Sequence, residues 1–315
     1  MYHHLSRFKV NLERRSDIRK TDSKWYELRP CNYYHIFESE KIVTPDISKE
    51  NNFAYDDEKY FCLDSCFVIV LKDECKKELM EESTSFLKYL LGLLNSKVME
   101  FCFKQTSTFV LGRHYRYKVE YLEPLQVKAI TERNRVLTDA ITNIVDRILQ
   151  INKESDELSQ KLARFPYSYF EEGWRFDKLS NIIKAQNLSK ESYAVSSKSL
   201  RTDYRQRSLD GGETFRIILA SDEFIDFSSE QVASYVYEIL KSMGRVTKRE
   251  LLEMKIPEQQ PLKSMLSQYK RDKDQKVKNE KTVEELERQL DDLVYKLYDL
   301  SYVERRIVEN YLKKF

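Results

Sequence analysis

Two heptad seams constrain this chain more than any other feature. Leu137, Ile141, Ile144, Ile148, Ile151, Leu158 and Leu162 follow alternating steps of four and three, broken only at Ser155. Val283, Leu286, Leu290, Leu293, Leu297 and Leu300 form a second series of the same kind. An apolar repeat of this period makes a long helix whose stripe must be covered by another helix. The economical expectation is that the two long helices pack antiparallel on each other. Ser301 and Glu304 then have capping-box spacing for a final short helix carrying Ile307 and Tyr311.

What lies outside the seams is mixed. Hydrophobic residues make up 41% of the 315 and charged residues 34%, so a sizeable core must share the chain with much charged surface. Only 6 Gly and 6 Pro argue against a dominant tight-turned β architecture. No uninterrupted apolar run approaches the roughly 20 residues of a membrane span. The start, MYHHLSRFKV, lacks the apolar core of a signal peptide. Five cysteines, an odd number in a long chain, fit reduced thiols and a cytoplasmic location. The net charge of +2 is too small to announce a nucleic-acid partner, so the distribution of charge matters more.

Taken in order, residues 3–20 read as one basic amphipathic helix, with a plain solvated face as the ordinary reading of its charges. Trp25 and Tyr26 stand beside Arg29 and Pro30, and Ile42-Val43 reads as a buried strand stopped by Pro45. The ordinary role for Trp25 is to plug a core. Phe61–Leu71 reads as a strand whose run from Phe67 to Leu71 is buried, and 78–101 as one helix. The stretch Gly112–Lys118 interleaves Arg113, Arg116 and Lys118 with Tyr115 and Tyr117, a pattern that can combine phosphate contacts with stacking. His114 in the same loop can bond a phosphate. Between the seams, strands are expected near 192–195 and 214–220, joined through Asp210-Gly211-Gly212, with a helix over 229–243. The charged run 270–281 reads as a solvated linker or helix extension.

Catalytic patterns are sparse. Asp46, Asp57 and Lys59 formally match the two carboxylates and lysine of a Mg²⁺-dependent nuclease, although Asp57 sits in an expected turn rather than a strand. Cys62 and Cys66 have strand spacing rather than the tight knuckle that zinc prefers, and read as buried thiols. There is no Gly-rich phosphate loop, no nucleophile elbow and no Asn/Asp/Ser-Pro-Pro-Tyr/Phe tetrapeptide of the kind that holds a flipped adenine.

In succession, WYELRP, KIVTPDIS, NNFAYDDEKYF, YLLGLLNSKVMEF and GRHYRYKVEYLEPLQV resemble the TaqI-like C-terminal specificity domain. This is the target-recognition domain of adenine methyltransferases and of fused type IIG restriction-modification enzymes. The closing LDDLVYKLYDLSYVERRIVENYL is similar to the tail that follows it. Leu125-Gln126 departs from the family's usual Leu-Pro. The resemblance implies sequence-specific binding of duplex DNA, with S-adenosylmethionine bound by a methyltransferase domain or subunit rather than by this chain. It implies a separated specificity subunit, a truncated gene or an expressed fragment.

The expected fold is α+β: a target-recognition domain at 1–130, a long helix at 131–164, an inserted small α/β segment at 165–281, and C-terminal helices at 282–315. A homodimer through the long helices is a further expectation. The expected DNA-binding residues are Arg113, His114, Tyr115, Arg116, Lys118, Arg29 and Lys24, with no catalytic and no metal-binding residues. The alternatives are the Asp46/Asp57/Lys59 nuclease and a non-catalytic coiled-coil interaction protein.

Overall fold

The computed structural model describes residues 2–18, 23–27, 33–62, 65–79, 82–110, 112–195, 200–207, 213–220 and 223–314. The chain opens with two short helices, α1 (Tyr2–Ser6) and α2 (Lys9–Glu13), not one. The chain turns between them, and neither buries a residue. Then come β1 (Lys41–Pro45), β2 (Ile47–Ser48), β3 (Ala54–Asp56) and β4 (Cys66–Ile69). Strand β1 is the centre of an antiparallel sheet, with Ile42 opposite Tyr55 of β3 and Ile69 of β4. Lys41 and Asp56 form a fully enclosed ion pair at 2.5 Å. It is sustained by further hydrogen bonds, because enclosed charges need every lone pair and proton satisfied. Lys41 Nζ also donates to the Phe37 carbonyl at 2.8 Å, and Asp56 accepts from the amides of Glu58 and Tyr60.

The run Phe67–Leu71 corrects an expectation. It is half-buried throughout, and only Cys66–Ile69 is strand. The reason is position: β4 lies at the edge of its sheet, so apolar side chains on both of its faces keep partial solvent contact.

Three helices follow: α3 (Asp73–Leu79), α4 (Ser83–Leu94) and α5 (Lys97–Thr106). The single helix expected over 78–101 is split at Asn95-Ser96. Ser96 is extended (ψ 154°) and its hydroxyl accepts from the Met99 amide, so it starts a new helix. Asn95 is drawn off to clasp Phe53, through Nδ2 to its carbonyl (2.9 Å) and Oδ1 from its amide (3.0 Å). The hairpin β5 (Phe109–Val110) and β6 (His114–Arg116) comes next, then a single turn, α6 (Val119–Leu122), and the long α7 (Arg135–Ala163).

The insert contains β7 (Phe176–Lys178), α8 (Leu179–Ile182), β8 (Ala185–Asn187), β9 (Ser192–Ala194), β10 (Arg201–Arg207), β11 (Glu213–Ala220), β12 (Glu223–Phe227), α9 (Glu230–Ser242), β13 (Arg245–Thr247), α10 (Lys248–Leu252) and β14 (Lys255–Pro257). Helices α11 (Gln259–Leu297) and α12 (Tyr302–Leu312) close the chain. The Ser301–Glu304 capping box is present on α12.

The molecule divides into two units, 1–146 with 287–315, and 147–286. In the first, α4 approaches the long helices closely at Gly92. A Cβ there would lie 2.8 Å from Val145 and 3.0 Å from Ile141, both side chains of α7, so only glycine lets the backbones meet. In the second, four antiparallel strands in the order β10-β11-β12-β8 lay Phe215, Ile217 and Leu219 into a core that also holds Val232, Tyr235 and Val236 of α9. Strand β9 pairs with β13, not with β11, whose hairpin partner is β10. The charged sequence RTDYRQR hides β10 from an apolar-pattern reading, and as an edge strand it tolerates those charges. Residues 210–212, expected as the turn, lie outside the described residues.

The run 270–281 is helical, inside α11. Its enclosed positions are polar: Asp272 and Asn279 stand one heptad apart, between Met265 and Leu286 at the same spacing. Asp272 takes Lys161 of α7 (2.7 Å), the Tyr169 hydroxyl (2.7 Å) and Gln268 (2.6 Å). Burial alone raises this carboxyl, but these three donors outweigh it and hold its pKa below the ordinary value. The fold is thus α+β throughout. Among the described residues no helix is long and apolar enough to cross a membrane.

Candidate nucleic-acid interface

The site is built on the β5–β6 hairpin. Phe109 faces Tyr115 and Val110 faces His114, which places Gly112 and Arg113 at the tip. Gly112 (φ 62°) and Arg113 (φ 75°) both have left-handed backbone. Glycine adopts this freely, whereas for arginine it costs on the order of 1 kcal/mol. Arg113 is exposed there.

Below the tip, strand geometry sorts the interleaved residues by type. Successive side chains of a strand point to opposite faces. Tyr115 and Tyr117 both point inward and are 0% exposed. Tyr117 stacks on Phe103 at 4.3 Å with 20° between the planes, and its hydroxyl donates to Asn51 at 2.9 Å. Tyr115 packs against Phe109 and Phe103, with Lys104 Nζ 5.3 Å from its ring centre. Burial pushes the Tyr115 hydroxyl up to about 12. The expectation that Tyr115 stacks on a base is therefore corrected: its ring is part of the core, as the alternating period requires.

His114, Arg116 and Lys118 occupy the alternate positions and keep partial exposure. Arg116, 41% exposed along its side chain, is held by a fork to Asp46: Nε to Oδ1 at 3.3 Å and the terminal nitrogen to Oδ2 at 3.2 Å. That bond to Asp46 raises the pKa of the guanidinium. Asp46 also binds the hairpin through its backbone, its carbonyl accepting from the Tyr117 amide at 2.8 Å. Strand β2, directly after Asp46, pairs with β6 by Ile47 opposite Arg116. Lys118 precedes α6 and lies 3.6 Å from Glu120.

Asp46 thus has a guanidinium for its partner, which argues against its use as a metal ligand. Asp57 lies directly after β3, and Lys59 has φ 63°. Among the described residues no cluster of three His, Cys, Asp or Glu side chains is placed to hold a metal. Cys62, Cys66, Cys75 and Cys102 are free thiols. The pairing of Asp46 with Arg116 was not legible beforehand: 70 positions separate them, and only the β2–β6 pairing brings them together.

The remaining expected residues fall near the amino terminus. Lys24 is exposed, with Nζ 5.8 Å from the Tyr26 ring centre. A hydrogen bond with Tyr26 raises its pKa. Trp25 and Tyr26 meet edge to face at 5.3 Å, and both touch Tyr2 at 5.5 Å. Arg29 lies outside the described residues.

Comparison with known proteins adds a family. A type I restriction-modification system S subunit from M. genitalium aligns over 87% of this chain and 82% of its own, at 13% identity and a TM-score of 0.25. So low a score carries no argument about this chain. The family model of the TaqI-like C-terminal specificity domain matches residues 3–127, which include β1–β6, α4, α5 and the hairpin tip. Over residues 3–127 the chain is therefore similar to a TaqI-like C-terminal specificity domain.

Proposed function

We propose that residues 3–127 recognise a specific sequence in duplex DNA as the specificity part of a restriction-modification system. The observation that carries this reading is the family match, which spans the hairpin bearing Arg113, His114, Arg116 and Lys118 on its solvent side. Basic side chains neutralise phosphates and fix register, while an arginine fork can read a guanine edge. Arg113, exposed and strained at a hairpin tip, is the residue best suited to enter a groove. Arg116 and Lys118 are better suited to phosphates.

The finer reading is that the chain serves an adenine-N6 methyltransferase of the type II class, supplied as another domain or subunit. S-adenosylmethionine binds there, and that partner flips the target adenine while this chain holds the duplex in register. Selection of bound duplexes from a randomised pool tests the reading. It is expected to return one enriched motif, with affinity falling steeply as salt rises. A bound pool without enrichment removes the sequence-specific part. No binding at about 50 mM salt removes DNA altogether, because phosphate contacts are strongest there.

A further inference from the structure

We infer that residues 2–18 and 23–27 form a second DNA-contacting surface, gripping the phosphate backbone through Arg7, Arg14 and Lys24 and laying Tyr2 and Trp25 against the sugar edges between phosphates. The inference rests on the duplex-DNA reading above and extends it to a segment away from the hairpin in sequence.

Charge is the first reason. Residues 1–30 contain eight Lys and Arg against four Asp and Glu, a net of +4, whereas the whole chain carries +2. The rest of the chain is therefore net acidic, and this segment concentrates the attraction for a polyanion. The cations also divide into two groups. Lys9 pairs with Glu13 at 3.7 Å. Arg15 forks to Asp17 and donates to the Glu27 carbonyl at 2.9 Å, which ties the Trp25-Tyr26 turn to α2. Among the described residues Arg7 and Arg14 form no ion pair, and both are exposed. Lys9 and Arg15 hold the segment together, while Arg7, Arg14 and the exposed Lys24 beside Tyr26 are left for a partner.

Burial is the second, independent reason. No described residue between 2 and 27 is buried, and Tyr2, Phe8 and Val10 are 56%, 49% and 63% exposed. A segment that encloses nothing has little stability of its own, so what it binds must order it. Its aromatic faces already carry cations: Lys9 Nζ lies 5.8 Å from the Trp25 ring centre and Lys24 Nζ 5.8 Å from that of Tyr26. Aromatic faces beside cations match the alternation of sugar and phosphate along a nucleic-acid strand.

Trp25 makes the test direct, since Trp174 is the only other tryptophan. In the full chain carrying Trp174→Phe, emission reports Trp25 alone. Titration with duplex DNA is expected to change that emission, with a midpoint that rises with salt. Arg7→Ala/Arg14→Ala in the same background is expected to weaken binding about tenfold and to shallow the log K against log salt slope by about 2, one unit for each lost phosphate contact. If duplex binds but Trp25 emission, affinity and slope all match the parent, this surface is excluded while the hairpin reading stands. If the parent binds no duplex at low salt, both fall. Inorganic polyphosphate changing Trp25 emission as strongly as duplex at equal charge also overturns the assignment, because the segment would then answer to charge alone.

Discussion

The hairpin at 109–118 and the segment at 2–27 are built from the same materials, basic residues interleaved with aromatics, and the structure treats them in opposite ways. In the hairpin, Tyr115 and Tyr117 are fully enclosed and hold the strand, Tyr117 stacked on Phe103 and Tyr115 tilted against Phe109. In the segment, Tyr2 is 56% exposed and no described residue is enclosed. The difference is the period. Alternation in steps of two, on a strand paired on both sides, sends all aromatics to one face and all cations to the other. On two five-residue helices with a turn between them no such sorting is available, so aromatics and cations share one surface. A hairpin whose tyrosines are enclosed beneath its cations is set against a patch in which aromatics and cations are both open to solvent.

The largest effect expected to break or uphold this contrast is on stability. Tyr117→Ala removes an enclosed, stacked and hydrogen-bonded ring and is expected to cost about 3–5 kcal/mol in urea denaturation. Tyr2→Ala is expected to stay within about 0.5 kcal/mol. Equal costs would show that the segment is a packed element after all.

Next comes the fork. Asp46→Asn weakens the hold on Arg116 and removes a negative charge beside the hairpin. Duplex affinity is expected to rise several-fold at low salt, with stability down by no more than about 1 kcal/mol because the pair is partly exposed. Unchanged affinity in an anisotropy titration would place Arg116 away from DNA.

A smaller effect, of mixed sign, separates strain from contact at the tip. Arg113→Gly relieves a left-handed arginine and is expected to add up to about 1 kcal/mol of stability while weakening duplex binding. Lower stability together with unchanged binding would make the arginine structural.

The smallest expected effect is in pH. The Tyr115 hydroxyl is raised to about 12 by burial. A tyrosine whose folded pKa is raised contributes stability that is fully present below its unfolded pKa of about 10, and it is lost as pH rises through the folded value. Urea midpoints compared at neutral pH and near pH 11 are expected to fall less in Tyr115→Phe than in the parent. An equal fall in both would place the alkaline sensitivity in other tyrosines.

Much of the frame was legible in the residues alone. The Leu137 and Leu290 seams announce long helices, and Ser301 with Glu304 announces the cap that starts α12, because these are local patterns decided within a few turns of chain. The TaqI-like succession was legible too, since it needs only order and spacing. Breaks were harder to see. Asn95-Ser96 sits inside an unbroken apolar period, and only the clasp between Asn95 and Phe53 shows why the helix stops there. Strand β10 escaped notice because its charges are tolerated only at an edge, and edge position is a property of the sheet.

By itself the sequence determined where the two long helices and the last helix cap lie, where charge and aromatics concentrate, and which family the first part of the chain resembles, because propensity, period and composition are properties of neighbouring residues. Only the tertiary structure decided that Tyr115 is core while Arg113 is surface. It alone decided that Asp46 pairs with Arg116, and that Asp272 and Asn279 occupy enclosed positions of a charged helix. These outcomes depend on what each side chain meets across a sheet or between helices. Pairing partners tens to hundreds of positions apart leave no trace in a local pattern.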